Sequence, residues 1–197
     1  MDSKKYSSND RSIFQTLEER KMRTIIYVHP YQESFCNAIF SQIRRDDDKV
    51  IDLYKEKFNP VYSKKELSSY NKGKIFDSKI IHYQEMLKKT DKLVIITPIW
   101  WNNIPGILKG FFDKVLSKSF AYEDGNLGVK GKLQNIKQAI IITTSNSPIF
   151  YLKLNGINHN IKMTLKQIGV KSIKFKQFGG IKNSSEKQRK EFLKKIS

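Results

Sequence analysis

Five apolar, β-branched stretches recur along the chain, each followed by a segment whose apolar positions step by three and four. They are 23–29 (RTIIYVH), 49–54 (KVIDLY), 92–97 (KLVIIT), 136–144 (IKQAIIITT) and 170–178 (VKSIKFKQF). Short continuous apolar runs of this kind predict buried strands, and the three–four steps predict amphipathic helices. Ser34 opens the first helix, with Phe35, Ala38, Ile39 and Ile43 on one face. Further helices are expected over 78–89 (Ile81, Met86 and Leu87 inward), 106–116, 150–168 and 184–196, the last capped by Ser184 or Ser185. Residues 61–76 read as polar and irregular with one helical turn, and 119–135 as a Gly-rich flexible loop. Strictly alternating strands and helices predict an α/β fold, a doubly wound five-stranded parallel sheet of order 2-1-3-4-5 with helices on both faces. In such a sheet ligands bind beyond the strands' carboxyl ends, where the winding reverses. Those ends are His29-Pro30, Thr97 to Trp101, and Thr143 to Asn146.

Residues 1–21 are polar, lack the apolar core of a secretory signal, and precede the first strand. They read as an N-terminal extension to a domain covering 22–197, and Met22 could itself start translation. At 197 residues and 39% hydrophobic, the chain can bury a sizeable core, and no apolar run reaches the roughly 18–20 residues of a spanning helix. A single cysteine, Cys36, excludes an intrachain disulfide, and a reducing cytoplasm is the expected compartment.

Charge alters this picture only in part. Lys and Arg number 37 against 19 Asp and Glu, a net +18, and residues 129–197 hold 15 bases against Glu186 and Glu191. A basic third can attract phosphate-rich partners. Only six of the 37 bases are Arg, whose planar forks dominate nucleic-acid sites, so a solvated surface is the preferred reading and nucleic acid is not an expected partner.

Several chemistries are missing. No G-x-x-x-x-G-K-[ST] follows a strand, the turn after the first strand has no glycine, and no G-x-S-x-G elbow occurs. His29, His82 and His159 lack metal-ligand spacing. Asp46-Asp47-Asp48 reads as a solvated turn at the amino end of the second strand.

Two segments point to a site. His29 to Phe35 sets a polar loop at a helix N-terminus, where free N–H groups and the helix dipole attract anions; Ser34 suits either an ordinary cap or a phosphate contact. In Thr97 to Pro105, two adjacent tryptophans stand at a strand's carboxyl end between Pro98 and Pro105. One element face cannot bury both, so the pair serves either core packing or a flat ring system docked on the loop.

Beyond these, residues 23–180 resemble the flavodoxin-like NAD(P)H:quinone oxidoreductase family, which includes bacterial quinone reductases and the flavin subunits that regulate potassium efflux. The likeness rests on His29-Pro30, Ser34-Phe35, Asp52-Leu53-Tyr54, Phe58-Asn59-Pro60, the block Pro98-Ile99-Trp100-Trp101 through Val115, Phe120-Ala121-Tyr122, Thr143-Thr144 and Tyr151. It implies a bound flavin, FMN with FAD as the alternative, and NAD(P)H as co-substrate. His29, Ser34, Phe35 and Cys36 would hold the phosphate; Pro98, Ile99, Trp100, Trp101 and Asn102 would cradle the ring; Thr143, Thr144, Ser145 and Asn146 would line its other edge. Tyr151 matches a tyrosine that acts on flavin and substrate. Tyr122 matches one that reaches the partner's site in a homodimer with shared active sites. The sequence departs from the family where Cys36 replaces an asparagine, Ser145-Asn146 replaces Gly-Gly, and Asn158 stands near the place of a histidine.

The implied activity is hydride transfer by a ping-pong mechanism to a quinone or similar small acceptor. Two other classes stay open: a regulatory flavoprotein bound to a membrane transporter or membrane surface, and a one-electron flavodoxin, against which the +18 charge argues.

Overall fold

A computed structural model describes residues 22–126 and 128–197. In chain order its elements are β1 (Arg23–Tyr27), α1 (Phe35–Ile43), β2 (Lys49–Asp52), α2 (Lys64–Ser68), α3 (Ser78–Lys88), β3 (Lys92–Pro98), α4 (Gly106–Val115), β4 (Tyr122–Gly125), β5 (Gly128–Gly131), β6 (Gln138–Thr144), α5 (Ile149–Leu154), α6 (Ile157–Gln167), β7 (Ser172–Phe178) and α7 (Glu186–Ile196). Five strands form one sheet in the order β2-β1-β3-β6-β7, and every pairing in it is parallel. This is the expected flavodoxin-like winding.

Alternation along the strands divides the core in two. Ile25, Tyr27, Val94, Ile96 and Ile142 face α1 and α7, where Cys36, Ile39 and Ile196 meet them. Ile26, Val28, Leu93, Ile95 and Ile141 face the opposite side, packing with Leu87 of α3, Phe111 of α4 and Leu165 of α6. Continuous apolar runs were readable as strands because both faces are covered.

Four expectations need correction. The helix over 150–168 is broken: Asn155 Oδ1 accepts from the Ile157 N–H at 3.1 Å, and Gly156 turns left-handed with φ +75°. An Asn-Gly pair supplies both the side-chain acceptor and the one residue type that enters that conformation freely. The Gly-rich segment is an antiparallel hairpin, β4 with β5. Gly131 lies so close to Ile168 and Gly169 that a Cβ would meet the Gly169 nitrogen at 2.2 Å, and Leu133 N–H bonds Ile168 O at 2.8 Å. Gly131 thus serves close packing against the loop before β7. On α3, Ile81 is 47% exposed, while Ile80, Tyr83 and Gln84 turn inward with Leu87. Finally, Asp48 is no solvated turn residue. Its carboxylate takes two 2.6 Å bonds from the Arg23 fork and is held below its ordinary range despite opposing desolvation, tying β1 to the start of β2.

Candidate active site at the carboxyl ends of the strands

A cavity of about 860 Å3 opens where β1, β3 and β6 end. β1 connects outward to β2 on one side while β3 lies on the other, so the connections diverge and leave a crevice. One wall is the N-terminus of α1. Ser34 caps it, its Oγ accepting from the Asn37 N–H at 3.1 Å. The first N–H groups of a helix have no intrahelical acceptor and offer themselves to an anion. Phe35 is fixed against Phe178 and Phe192, at 4.8 and 6.1 Å between ring centroids. Cys36 is 1% exposed and 3.1 Å from Thr144 Oγ1; burial pushes its thiol up to about 11, so it is a neutral floor residue.

Arg189 of α7 completes this end. Its fork donates to Ser184 Oγ at 2.8 Å and Ile181 O at 2.9 Å, and its guanidinium carbon stands 6.0 Å from the Phe35 ring centre. Among the described residues lining the cavity it is the only Lys or Arg. His29, at the mouth, accepts the Tyr31 N–H at Nδ1. Burial lowers its pKa, with donation from the ring to the Tyr31 carbonyl opposing.

The opposite end is built by the tryptophan loop. Trp100 and Asn103 exchange both backbone hydrogen bonds at 2.9 Å, while Trp101 and Asn102 between them have φ of +47° and +63°. Two consecutive left-handed residues make the tight reversal of a type I′ turn, costly for tryptophan and unsupported by any glycine. Its product is display: Trp101 is 99% exposed, and Trp100, 42% exposed, stands T-shaped to the His29 ring. Of the two readings of the tryptophan pair, core packing fails. Pro98 and Ile99 lie buried beneath, and Ile99 N–H bonds Thr144 O at 2.8 Å, locking this loop to the end of β6.

The third wall is 144–151. Ser145 Oγ accepts from the Ser147 N–H, and the 145–147 loop bonds to Phe178, Gly180 and Ile181. The approach requires Gly179, where a Cβ would come within 2.6 Å of Ser147 O. Asn146 lines the cavity exposed. Tyr151 Oη accepts from Asn102 Nδ2 at 3.3 Å. Asn158 is occupied elsewhere, exchanging amide bonds with Gln177.

The structure thus gathers His29, Ser34, Phe35, Cys36, Pro98, Ile99, Trp100, Trp101, Asn102, Thr144, Ser145, Asn146 and Tyr151 around one cavity. One expected lining residue, Thr143, is elsewhere, and Tyr122, expected in a partner's site, does not line its own chain's cavity. Thr143 is fully buried on the α6 side, its Oγ1 accepting from Gln177, because it points to the face opposite Thr144. Tyr122 opens β4 beyond the far end of α4, a helix of ten residues that carries the chain about 15 Å away from the tryptophan loop. Arg189, Phe150 and Ser147 were missed: they line the cavity from segments with no motif of their own.

A three-residue cluster of metal-ligating type is absent among the described residues. The donor set suits a different ligand. An elongated molecule with a phosphate at one end and a flat, polar-edged ring at the other matches a helix N-terminus with Arg189 facing Trp100, Asn102 and Tyr151; a flavin mononucleotide has that form.

Comparison with known proteins agrees. The family model described as a flavodoxin-like fold matches residues 22–197. An uncharacterised NAD(P)H oxidoreductase of Haemophilus influenzae is 31% identical over 180 residues, covering 86% of this chain and 89% of that one. An FMN-dependent NADH:quinone oxidoreductase of Coprothermobacter proteolyticus is 32% identical over 115 residues, 57% of each chain. The crystal structure of Smu.1420 from Streptococcus mutans superposes with a TM-score of 0.77 at 31% identity, covering 89% of this chain and 96% of that one. The chain belongs to the flavodoxin-like family, together with the NAD(P)H oxidoreductases it resembles.

Proposed function

We propose that the protein is an FMN-dependent NAD(P)H:quinone oxidoreductase. The observation that carries this reading is the cavity itself, with an anion-binding helix end and Arg189 at one side and a displayed aromatic, amide and phenol at the other. The relative from Coprothermobacter proteolyticus, named for FMN, NADH and quinone, supports it. A flavin held there would supply two-electron chemistry between a nicotinamide and an acceptor.

The chain's residues bind, orient and exclude water. Ser34, the first N–H groups of α1 and Arg189 hold the phosphate. Trp100, Ile99 and the 144–146 loop fix the ring plane. Tyr151 receives a hydrogen bond from Asn102, which leaves its own O–H free to be donated to an acceptor oxygen. The single cavity takes NAD(P)H and acceptor in turn, the basis for ping-pong kinetics. Tyr122 is too remote to close over its own chain's cavity, which supports a homodimer in which it serves the partner's.

The test is direct. Purified protein should carry FMN, identified by mass spectrometry after release, and should oxidise NAD(P)H with menadione in a pattern of parallel double-reciprocal lines. Protein that takes up no flavin and shows no such turnover would end this reading.

A further inference from the structure

Tyr122 has a neighbour that the proposed function does not use. Its phenol oxygen lies 2.5 Å from that of Tyr70, which opens the short helical turn Tyr70–Lys72. Tyr70 ends a strap, residues 59–70, fastened to α4 by buried polar contacts. The Lys114 side chain is 2% exposed, and its ammonium pairs with Glu66 Oε1 at 2.9 Å. It also donates to Asn59 O at 3.2 Å and Val61 O at 3.1 Å, so three N–H groups meet three acceptors. Tyr62 donates to the Asp113 carbonyl at 2.6 Å, and its ring stands at 90° to that of Tyr70. Gly110 lets Pro60 approach so closely that a Cβ would come within 2.4 Å. Only about 20 Å3 remains open between Tyr62, Glu66, Tyr70 and Lys114, room for one water at most. Tyr70 therefore stands on rigid footing, and the Tyr122 hydroxyl is tied to it.

A pair of hydroxyls shares one hydrogen, so one phenol keeps a free O–H. We infer that Tyr70 is a positioning residue for carbonyl acceptors: it donates to Tyr122, holds that ring in place, and leaves the Tyr122 O–H for a quinone oxygen in the partner's cavity. The inference rests on the shared-site reading above. It confines the role of the pair to ligands that bring a carbonyl oxygen to the cavity, leaving non-carbonyl oxidants indifferent to it.

Tyr70→Phe in the flavin-loaded protein tests this, with menadione and ferricyanide as alternative acceptors. The menadione kcat/KM should fall about 3–10-fold, the range for one lost neutral hydrogen bond, mainly through KM. Menadione binding to the oxidised protein, read by fluorescence quenching, should weaken in parallel. Ferricyanide turnover should hold, and the melting temperature should fall by no more than the few degrees that one lost hydrogen bond costs. In a Tyr122→Phe background the same change should have little further effect. An unchanged menadione kcat/KM while Tyr122→Ala lowers it would overturn the inference alone. A loss spread equally over both acceptors, or an undiminished loss in the Tyr122→Phe background, would make Tyr70 structural and overturn it too. If Tyr122→Ala itself leaves menadione turnover intact, the shared-site reading fails and takes the inference with it.

Discussion

Arg189 sets the electrostatics of the cavity. A flavin phosphate brings close to two negative charges, and α1 offers only partial charges against them. Replacing Arg189 with Ala should therefore weaken FMN binding about 10–100-fold, the range for one hydrogen bond to a charged group. Lys should restore only part, because a compact ammonium does not reproduce the planar fork that spans Ser184 Oγ and Ile181 O. Riboflavin, without the phosphate, should bind wild type and Arg189→Ala alike. Equal losses for both ligands, measured by fluorescence titration of the flavin-free protein, would show that Arg189 only packs. This residue was illegible in the sequence for a physical reason. It is a lone Arg in a Lys-rich terminal helix, 155 positions from Ser34, and nothing local marks it as facing the cavity. The tryptophan pair was legible because exposure of two indoles demands a purpose. What stayed hidden was the left-handed turn that presents them.

Among the elements, the strap from Asn59 to Tyr70 carries a buried ion pair, Lys114 with Glu66. Desolvation alone would raise the Glu66 carboxyl, but hydrogen bonds from Lys114 and Ser63 outweigh it and hold the group at about 2. In the unfolded chain it returns to about 4.5. The folded group binds its proton less readily, so the pair stabilises the fold above that ordinary value and loses this contribution as pH falls toward about 2. Glu66→Gln should thus lower the denaturation midpoint most at pH 7, with the gap from wild type narrowing by pH 3. A gap that stays constant with pH would assign the loss to packing. Little of this was readable beforehand: 61–76 looked merely polar, because its contacts run to Lys114 and Asp113 on a distant helix. The five strands, by contrast, announced themselves, since burial on both faces leaves an unbroken apolar run. The helix break at Asn155-Gly156 and the β4–β5 hairpin were written in turn residues whose meaning depends on what they pack against.

For the whole molecule, the described chain is pinned from Met22, whose nitrogen donates to Asp91 Oδ2 at 3.0 Å and whose carbonyl accepts from the Asp91 and Lys92 N–H groups. Translation begun at Met22 should accordingly leave flavin content and the melting temperature unchanged; a chain that loses its flavin would show that residues 1–21 pack on the domain. Assembly is the larger question. Tyr151 borders the cavity at the top of the sheet, while Tyr122 lies past the lower end of α4, tied to Tyr70. Tyr122 is not among the residues lining that cavity, so its own chain does not bring both to one acceptor. A twofold axis can, because an interface that presents the lower end of α4 to the partner's cavity does so twice. Exposed Trp101 and Phe150 at that cavity supply apolar surface for such a contact. Tyr122→Ala and Tyr151→Ala homodimers should each lose most quinone turnover. Mixing them and allowing exchange creates heterodimers in which one site carries both defects and the other carries none. Activity should then recover toward one quarter of wild type: half the chains pair as heterodimers at random exchange, and each heterodimer has one native site of two. Exchange demonstrated by mass spectrometry without recovery, or a monomer by sedimentation at assay concentration, would place Tyr122 outside the reaction.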